Sequence, residues 1–417
     1  MAGRWAFSAL YIAALAAGFA GTATPAHAQA LDSLPIATDA RLAGDDKETR
    51  LIVDLTRKMD VRAFTLSNPY RVVVDLPQTI FQLPGKAGET GRGLIKAFRY
   101  GLVMAGGSRL VVDVAKPVRV ERAFVLEPRD GQPARLVLDL TATDRESFMR
   151  TMAQQAREQI KTPAVDPRRV EAAQPTGDPR PLIVIDPGHG GPDTGAKVAD
   201  GEIMEKHVVL DFSMTLRDQL EKNGKYRVVL TRTDDTFIPL AERVKMARQR
   251  QAALFISVHA DSLPREEGDA QGATVYTLSD KPSDSEAAKL AESENRSDIV
   301  AGIDLSREPG DVADILIDLA QRETKGYSSQ FAKTLVSEMK SVMRLHKKPL
   351  KSAGFVVLKA PDVPSVLVEL GYMTNKQDLK LLMSEAWRTK AAESMVQGVD
   401  AFFRPRMAGA GAAPARR

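Results

Sequence analysis

The sequence predicts an α/β domain with a mainly parallel mixed sheet flanked by helices, preceded by a small all-β, sandwich-like domain. Two observations predict it. In residues 181–404 short apolar runs alternate with helical patterns, the order of a layered α/β domain. In residues 29–143 short β-branched runs recur with no long helical pattern between them, as in a sandwich. Between the two, residues 144–180 are rich in Arg, Gln, Ala and Pro and read as a linker, with a short helix over 144–160. Residues 405–417 read as a disordered tail.

The β domain carries an internal echo. Arg50-Leu-Ile-Val-Asp54, Arg71-Val-Val-Val-Asp75, Arg109-Leu-Val-Val-Asp113 and Arg135-Leu-Val-Leu-Asp139 are four charge-bounded strands. A second echo interleaves with them: Arg62-Ala-Phe64, Lys96-Ala-Phe98 and Arg122-Ala-Phe124. Turn signals separate the runs, among them Asn68-Pro69 and Pro84-Gly85. The region has no histidine and no catalytic constellation, which makes it a binding module or a spacer.

In the second domain the predicted strands are Leu182–Asp186, Arg227–Thr231, Ala253–Val258, Ala273–Leu278, Ala353–Leu358 and Ser365–Leu370. Helical spacing covers Met204–Lys222, Pro239–Gln251, 284–296, 311–322 and 327–344, and further helices close the domain.

Composition bounds the chemistry. The 417 residues contain no cysteine, which removes disulfides, thiolate metal sites and cysteine nucleophiles. Any metal must be held by His, Asp or Glu, and there are only five histidines. Residues 1–28 have one charge, Arg4, then an apolar stretch and Ala26-His27-Ala28, the pattern of a cleaved export signal. Its loss lowers the formal charge of +4 to +3, a mild excess that suits an anionic polymer without choosing one. No later run is long and apolar enough to span a bilayer.

Polar residues gather at the predicted strand ends. Asp186-Pro-Gly-His-Gly-Gly191 follows the first strand of the second domain, and Ser257-Val-His-Ala-Asp261 places His259 at another strand end. Val368-Glu-Leu-Gly-Tyr372 places Glu369 at the end of the last strand, and Glu205 opens a helix. Two imidazoles and a carboxylate make three ligands, with a second carboxylate left over as a base. That is the makeup of a catalytic zinc site. A phosphate cradle at 187–191 would need a Lys and a Ser or Thr at fixed offsets, which are absent. Glu369, inside an apolar run, must be paired, ligated or protonated. His207 reads as structural, and His346, beside Lys347 and Lys348, as surface.

The chain resembles the zinc-dependent N-acetylmuramoyl-L-alanine amidases of the third amidase family with an amino-terminal AMIN domain, in particular the periplasmic cell-division amidases of Gram-negative bacteria. The matching motifs are Val184–Gly191, Glu205-Lys206, Thr231-Arg232 with Asp235 and Leu240-Ala-Glu-Arg243, Ser257–Asp261, and Val366–Tyr372 with Thr374-Asn375. The resemblance implies zinc ligands at His189, Glu205 and His259 and a catalytic carboxylate at Glu369. It implies cleavage of the amide between N-acetylmuramic acid and L-alanine, peptidoglycan rather than nucleic acid as the polymer, and export to the periplasm. The Thr231–Arg243 motif reads as support, with Arg232 and Arg243 available to pair with carboxylates. A zinc peptidase acting on stem peptides and a non-catalytic wall-binding protein are the alternatives.

Residues 279–326 are longer than a connection between two elements of such a domain requires. On the helix predicted within Ser283–Asp298, Ala287, Leu290 and Ala291 form a stripe, and Glu294 falls on it while Glu292 faces away. A carboxylate on a buried face needs a partner. With the resemblance, this implies that Glu294 is an extra zinc ligand in a resting state. It also implies that a LytM-domain activator docks on the 311–322 helix through Val312, Ile315, Leu316 and Leu319.

Overall fold

The echo in the sequence becomes two five-stranded sheets. A computed structural model describes residues 34–67, 69–103, 107–129, 131–161, 178–198, 201–262, 271–303 and 314–410, with the side chains of 156–161, 314–322 and 406–410 left outside. The expected signal segment 1–28 and residues 162–177 of the linker lie outside the described residues.

The N-terminal domain is built from β1 (Ile36–Gly44), β2 (Glu48–Leu55), β3 (Arg62–Leu66), β4 (Arg71–Pro77), β5 (Ile80–Phe81), β6 (Ile95–Val103), β7 (Gly107–Val114), β8 (Val118–Leu126) and β9 (Ala134–Ala142). One sheet runs β5-β1-β2-β9-β8 and the other contains β6-β7-β4-β3. Alternate residues point inward, so Leu51, Val53, Val72, Val74, Leu110, Val112, Leu136 and Leu138 form the core between them. The echoed motifs pair with one another. Antiparallel pairing of two Arg-x-x-x-Asp copies sets Arg against Asp: Arg50 opposite Asp139, and Arg109 opposite Asp75. Both pairs form salt bridges. Helix α1 (Arg145–Lys161) follows.

The second domain adds β10 (Leu182–Pro187), β11 (Lys197–Val198), β12 (Ile203–Met204), α2 (Glu205–Lys222), β13 (Arg227–Leu230), β14 (Thr236–Phe237), α3 (Leu240–Gln249), β15 (Leu254–His259) and β16 (Ala273–Leu278). Then come α4 (Ser285–Glu294), α5 (Ser297–Val300), α6 (Asp314–Met339), β17 (Leu345–Ala353), β18 (Ser365–Glu369), α7 (Lys376–Leu382) and α8 (Glu385–Ala410). The sheet order is β13-β10-β15-β18-β16-β17, and every pair is parallel except β16 with β18. β10, β15 and β18 are adjacent and parallel, so their carboxyl ends meet: Asp186 is level with Ser257, and His259 with Glu369. One face of the sheet packs on α2, α6 and α8 through residues such as Phe212, Phe331 and Phe402. The other packs on α3, α4 and a 3-10 turn, Val356–Leu358.

Three expectations are corrected. The strand placed at Ala353–Leu358 is instead Leu345–Ala353. Its Lys347-Lys348-Pro349 reads as surface, but β17 is the sheet's edge, where charges and proline are tolerated. The helices expected at 311–322 and 327–344 are one helix, α6, which ends at Met339; residues 311–313 lie outside the described residues. A Cβ at Gly326 would touch nothing within 4 Å, and one glycine costs only about 1 kcal/mol, too little to break a helix this long. The tail expected from 405 continues α8 to Ala410. Pro405 removes one backbone bond, while its neighbours Arg404, Arg406, Met407 and Ala408 favour helix. Residues 411–417 lie outside the described residues.

Candidate metal centre

The strand ends are held open by a buried ion pair beneath them. Asp186 and Arg243 are both fully buried and pair at 2.8 Å. Asp186 also accepts from Thr231 Oγ1 at 2.6 Å and Ser257 Oγ at 2.8 Å. Burial works against its charge, but Arg243 and the two hydroxyls outweigh that and hold its carboxyl below the usual range. Arg243 reaches on to the carbonyls of Pro187 and His189 at 2.9 and 2.8 Å. Arg232, expected to pair with a carboxylate, instead donates to carbonyls of Pro187, Gly188 and Lys206 at 3.0, 2.7 and 2.8 Å. The two guanidiniums thus fix the backbone of the glycine turn. His189 sits in it at φ 59°, a left-handed conformation unusual for a side-chain-bearing residue. Gly188 is required because a Cβ there would lie 2.4 Å from His259 Cε1.

These elements bring His189, Glu205 and His259 together. His189 Nε2 lies 3.0 Å from Glu205 Oε1, and His259 Nδ1 lies 3.4 Å from the same oxygen. Ligand atoms about 2.0–2.1 Å from a tetrahedral zinc stand about 3.3 Å apart, so the spacing fits one ion. Both ring nitrogens are buried and make no hydrogen bond, the state of atoms reserved for a metal. Glu205 is positioned by two backbone N–H groups, Ala196 on Oε2 and Ala260 on Oε1, each at 2.9 Å. Glu369 adds another carboxylate: Oε2 accepts from Asp261 N–H at 2.9 Å, and Oε1 is buried without a partner. Burial, then the charges of Asp261, Glu205 and Glu294, push its pKa well above the usual range. Burial and the charges of Glu294 and Glu205 push Asp261 up to about 8. Carboxylates this crowded around two imidazoles call for a cation.

The insert reaches the same point. α4 starts on Asp284, whose side chain accepts from Ala287 N–H at 2.9 Å. Ala287, Leu290 and Ala291 are buried in the cluster with Phe355 and Val357. Glu294 is buried at the helix end with Oε2 3.1 Å from His259 Nδ1 and 3.7 Å from His189 Nε2. His189, His259 and Glu294 offer ligand atoms within 4.8 Å of one another. Burial raises the Glu294 pKa against the pull of the two imidazoles. Glu292 faces outward and pairs with Arg296. Beyond Glu294, Asp298 accepts from Leu240 N–H at 2.9 Å.

Residues 183–401 match the profile of the N-acetylmuramoyl-L-alanine amidase family, and residues 39–140 match that of the AMIN domain. The chain belongs to this amidase family. The amidase is 35% identical over 368 residues to N-acetylmuramoyl-L-alanine amidase AmiC of Escherichia coli O6:H1, which covers 85% of this chain and 86% of that one. It is 35% identical over 381 residues to AmiC of Neisseria meningitidis serogroup B, 88% of this chain and 90% of that one. Among solved structures, the N-acetylmuramoyl-L-alanine amidase from Clostridium difficile 630 aligns with 54% of this chain and 98% of its own, at a TM-score of 0.41 and 23% identity. Among the described residues of the amidase, no helix is long and apolar enough to cross a membrane.

Two side chains of the amidase were not singled out in the sequence. Asp193 Oδ2 accepts from His189 Nδ1 at 2.9 Å and also from the Ser297 hydroxyl of the insert. The signal available was a carboxylate four residues past His189 in a glycine turn. It fixes the tautomer that leaves Nε2 free. Asp193→Ala is expected to weaken metal affinity by about 10–100-fold, read by competition with a chelating dye. His346, expected at the surface, is half-buried with Nε2 3.8 Å from Glu286. His207, read as structural, is exposed, 3.9 Å from Asp235.

Proposed function

We propose that the amidase hydrolyses the amide between N-acetylmuramic acid and L-alanine of peptidoglycan stem peptides, with zinc held by His189, Glu205 and His259. The observation that carries this reading is the convergence of the unpartnered His189 Nε2 and His259 Nδ1 on Glu205 Oε1. Zinc, when bound there, supplies a Lewis acid and lowers the pKa of water from roughly 15.7 to about 7. Glu369 is the general base: Asp261 N–H fixes one of its oxygens, and the other is free to take a proton and return it to the leaving amine. Burial and the neighbouring carboxylates raise its pKa, which makes it a stronger base than an exposed carboxylate.

In the resting state Glu294 takes the position that substrate needs, and the insert keeps the enzyme off. A LytM-domain activator docking on residues 311–322, which include the start of α6, releases it; residues 311–313 and the side chains of 314–322 lie outside the described residues. The AMIN domain binds peptidoglycan without cleaving it, and a groove of ≈ 570 Å³, where Arg50 and Arg122 pair with Asp139 and Arg119 with Glu121, offers a polar, charge-balanced surface for it. The setting is the periplasm, and the role is wall remodelling during daughter-cell separation.

Mass spectrometry of sacculi digested with the zinc-loaded protein tests the reaction. Free stem peptides that keep L-alanine are expected, with loss of product on chelation and recovery on adding zinc. Shortened peptides still joined to glycan would identify a peptidase instead.

A further inference from the structure

The outer face of the sheet β3-β4-β7-β6 is not a solvated face. Phe64, Leu66, Arg71, Val73, Arg109 and Val111 share it by two-residue alternation. Leu66, Val73 and Val111 form a buried cluster of their own, on the other side of the sheet from the domain's core. The end of the insert covers it. A Cβ on Gly302 would lie 2.9 Å from Val111 Cγ2 and 3.1 Å from Val73 Cγ2, so the Gly302 backbone rests on this patch.

Three arginines surround that contact. Arg71 donates to the Ile299 carbonyl, Arg99 to Val300, and Arg109 to Gly302 at 2.9 Å. α5 ends there in a Schellman turn, with Ile303 N–H on Asp298 O at 2.8 Å, Gly302 N–H on Ile299 O at 3.0 Å, and Gly302 at φ 70°. The arginines therefore take carbonyls at the end of a helix, where positive charge is favourable. Asp113 and Asp75 hold Arg99 and Arg109 in place. The matching arginine of the other sheet, Arg50, is 46% exposed against 15% for Arg109, so the same echoed motif is put to use on one sheet only. Nearby, β14 extends this sheet by pairing in parallel with β6, and Gly191 packs on Gly101, so the N-terminal domain also touches the turn that carries His189.

We propose that the N-terminal domain is a clamp on the insert: Arg71, Arg99 and Arg109 hold residues 299–302 and so keep Glu294 in the metal centre. The clamp rests on the reading of Glu294 as an occluding ligand. Drawing the β domain away leaves the insert tied only within its own domain, and release then takes less activator.

The test uses the full zinc-loaded chain in three forms besides wild type. Arg99→Met with Arg109→Met removes two donors and keeps their apolar stems. Gly302→Asn keeps the N-terminal domain intact and adds a side chain against Val73 and Val111 at a φ that Asn tolerates. Glu294→Ala reports on occlusion alone. Amide exchange over 294–303 is expected to quicken about tenfold or more in both clamp variants, with β15 and β18 unchanged, because the segment opens locally. Basal sacculus hydrolysis rises with it. Wild-type exchange over 294–303 in both folded clamp variants would overturn the clamp, as would faster exchange with no gain in rate when Glu294→Ala does gain. Faster exchange with no gain in any variant, Glu294→Ala included, would uphold the contact and sink the occlusion reading instead.

Discussion

Glu369→Gln is expected to lower turnover by about 10²–10⁴ while the protein keeps its metal. The amide can still accept the Asp261 N–H through its oxygen, so the side chain stays where Glu369 stands. What is lost is the buried second oxygen, which no protein group occupies. The two measurements are turnover on labelled sacculi and bound zinc by elemental analysis. Loss of zinc in this variant would make Glu369 a ligand and reverse its role with Glu205.

His259→Ala is expected to empty the metal centre and bring activity down to that of chelated wild type. The ring supplies the nitrogen that faces both Glu205 and Glu294. Without it, those two carboxylates would share a buried space with only His189 to balance them. Elemental analysis should find the zinc gone, and exchange of β15 should stay slow, since its backbone ladders with β10 and β18 remain. Zinc retained at wild-type affinity would remove His259 from the ligand set.

The strands of the β domain were legible because charge-bounded apolar runs leave few other options; which arginine meets which aspartate was not, since that depends on strand order and register. The convergence of His189, Glu205, His259 and Glu369 was legible because each lies at or just past the end of a buried strand or opens a helix beside one. Glu294 was legible from helical spacing alone: a 3.6-residue period put it on the stripe of Leu290 and Ala291, and both are buried with it. Contacts between distant segments were not legible. Nothing local marks Asp193 as the partner of both His189 and Ser297, or Thr236 and Phe237 as an added strand of the other domain's sheet. β17 was misplaced because an edge strand need not be apolar, so Lys347-Lys348-Pro349 hid it.

The burial of α4 also decides how occlusion is best tested. Removing residues 284–320 would take Ala287, Leu290 and Ala291 out of a cluster with Phe355 and Val357, and a change in rate could then come from a damaged domain. A single truncation of the carboxylate leaves that packing in place. The most direct measurement is therefore the basal rate of sacculus hydrolysis by the full zinc-loaded chain and by Glu294→Ala, with no activator present. If Glu294 blocks the centre and the open form is a minor state of about 10% or less, the variant should be about tenfold faster or more at equal zinc content. Equal rates in two folded, equally zinc-loaded proteins would contradict occlusion by Glu294, and a gain from Glu292→Ala alone would move it to the outward-facing carboxylate.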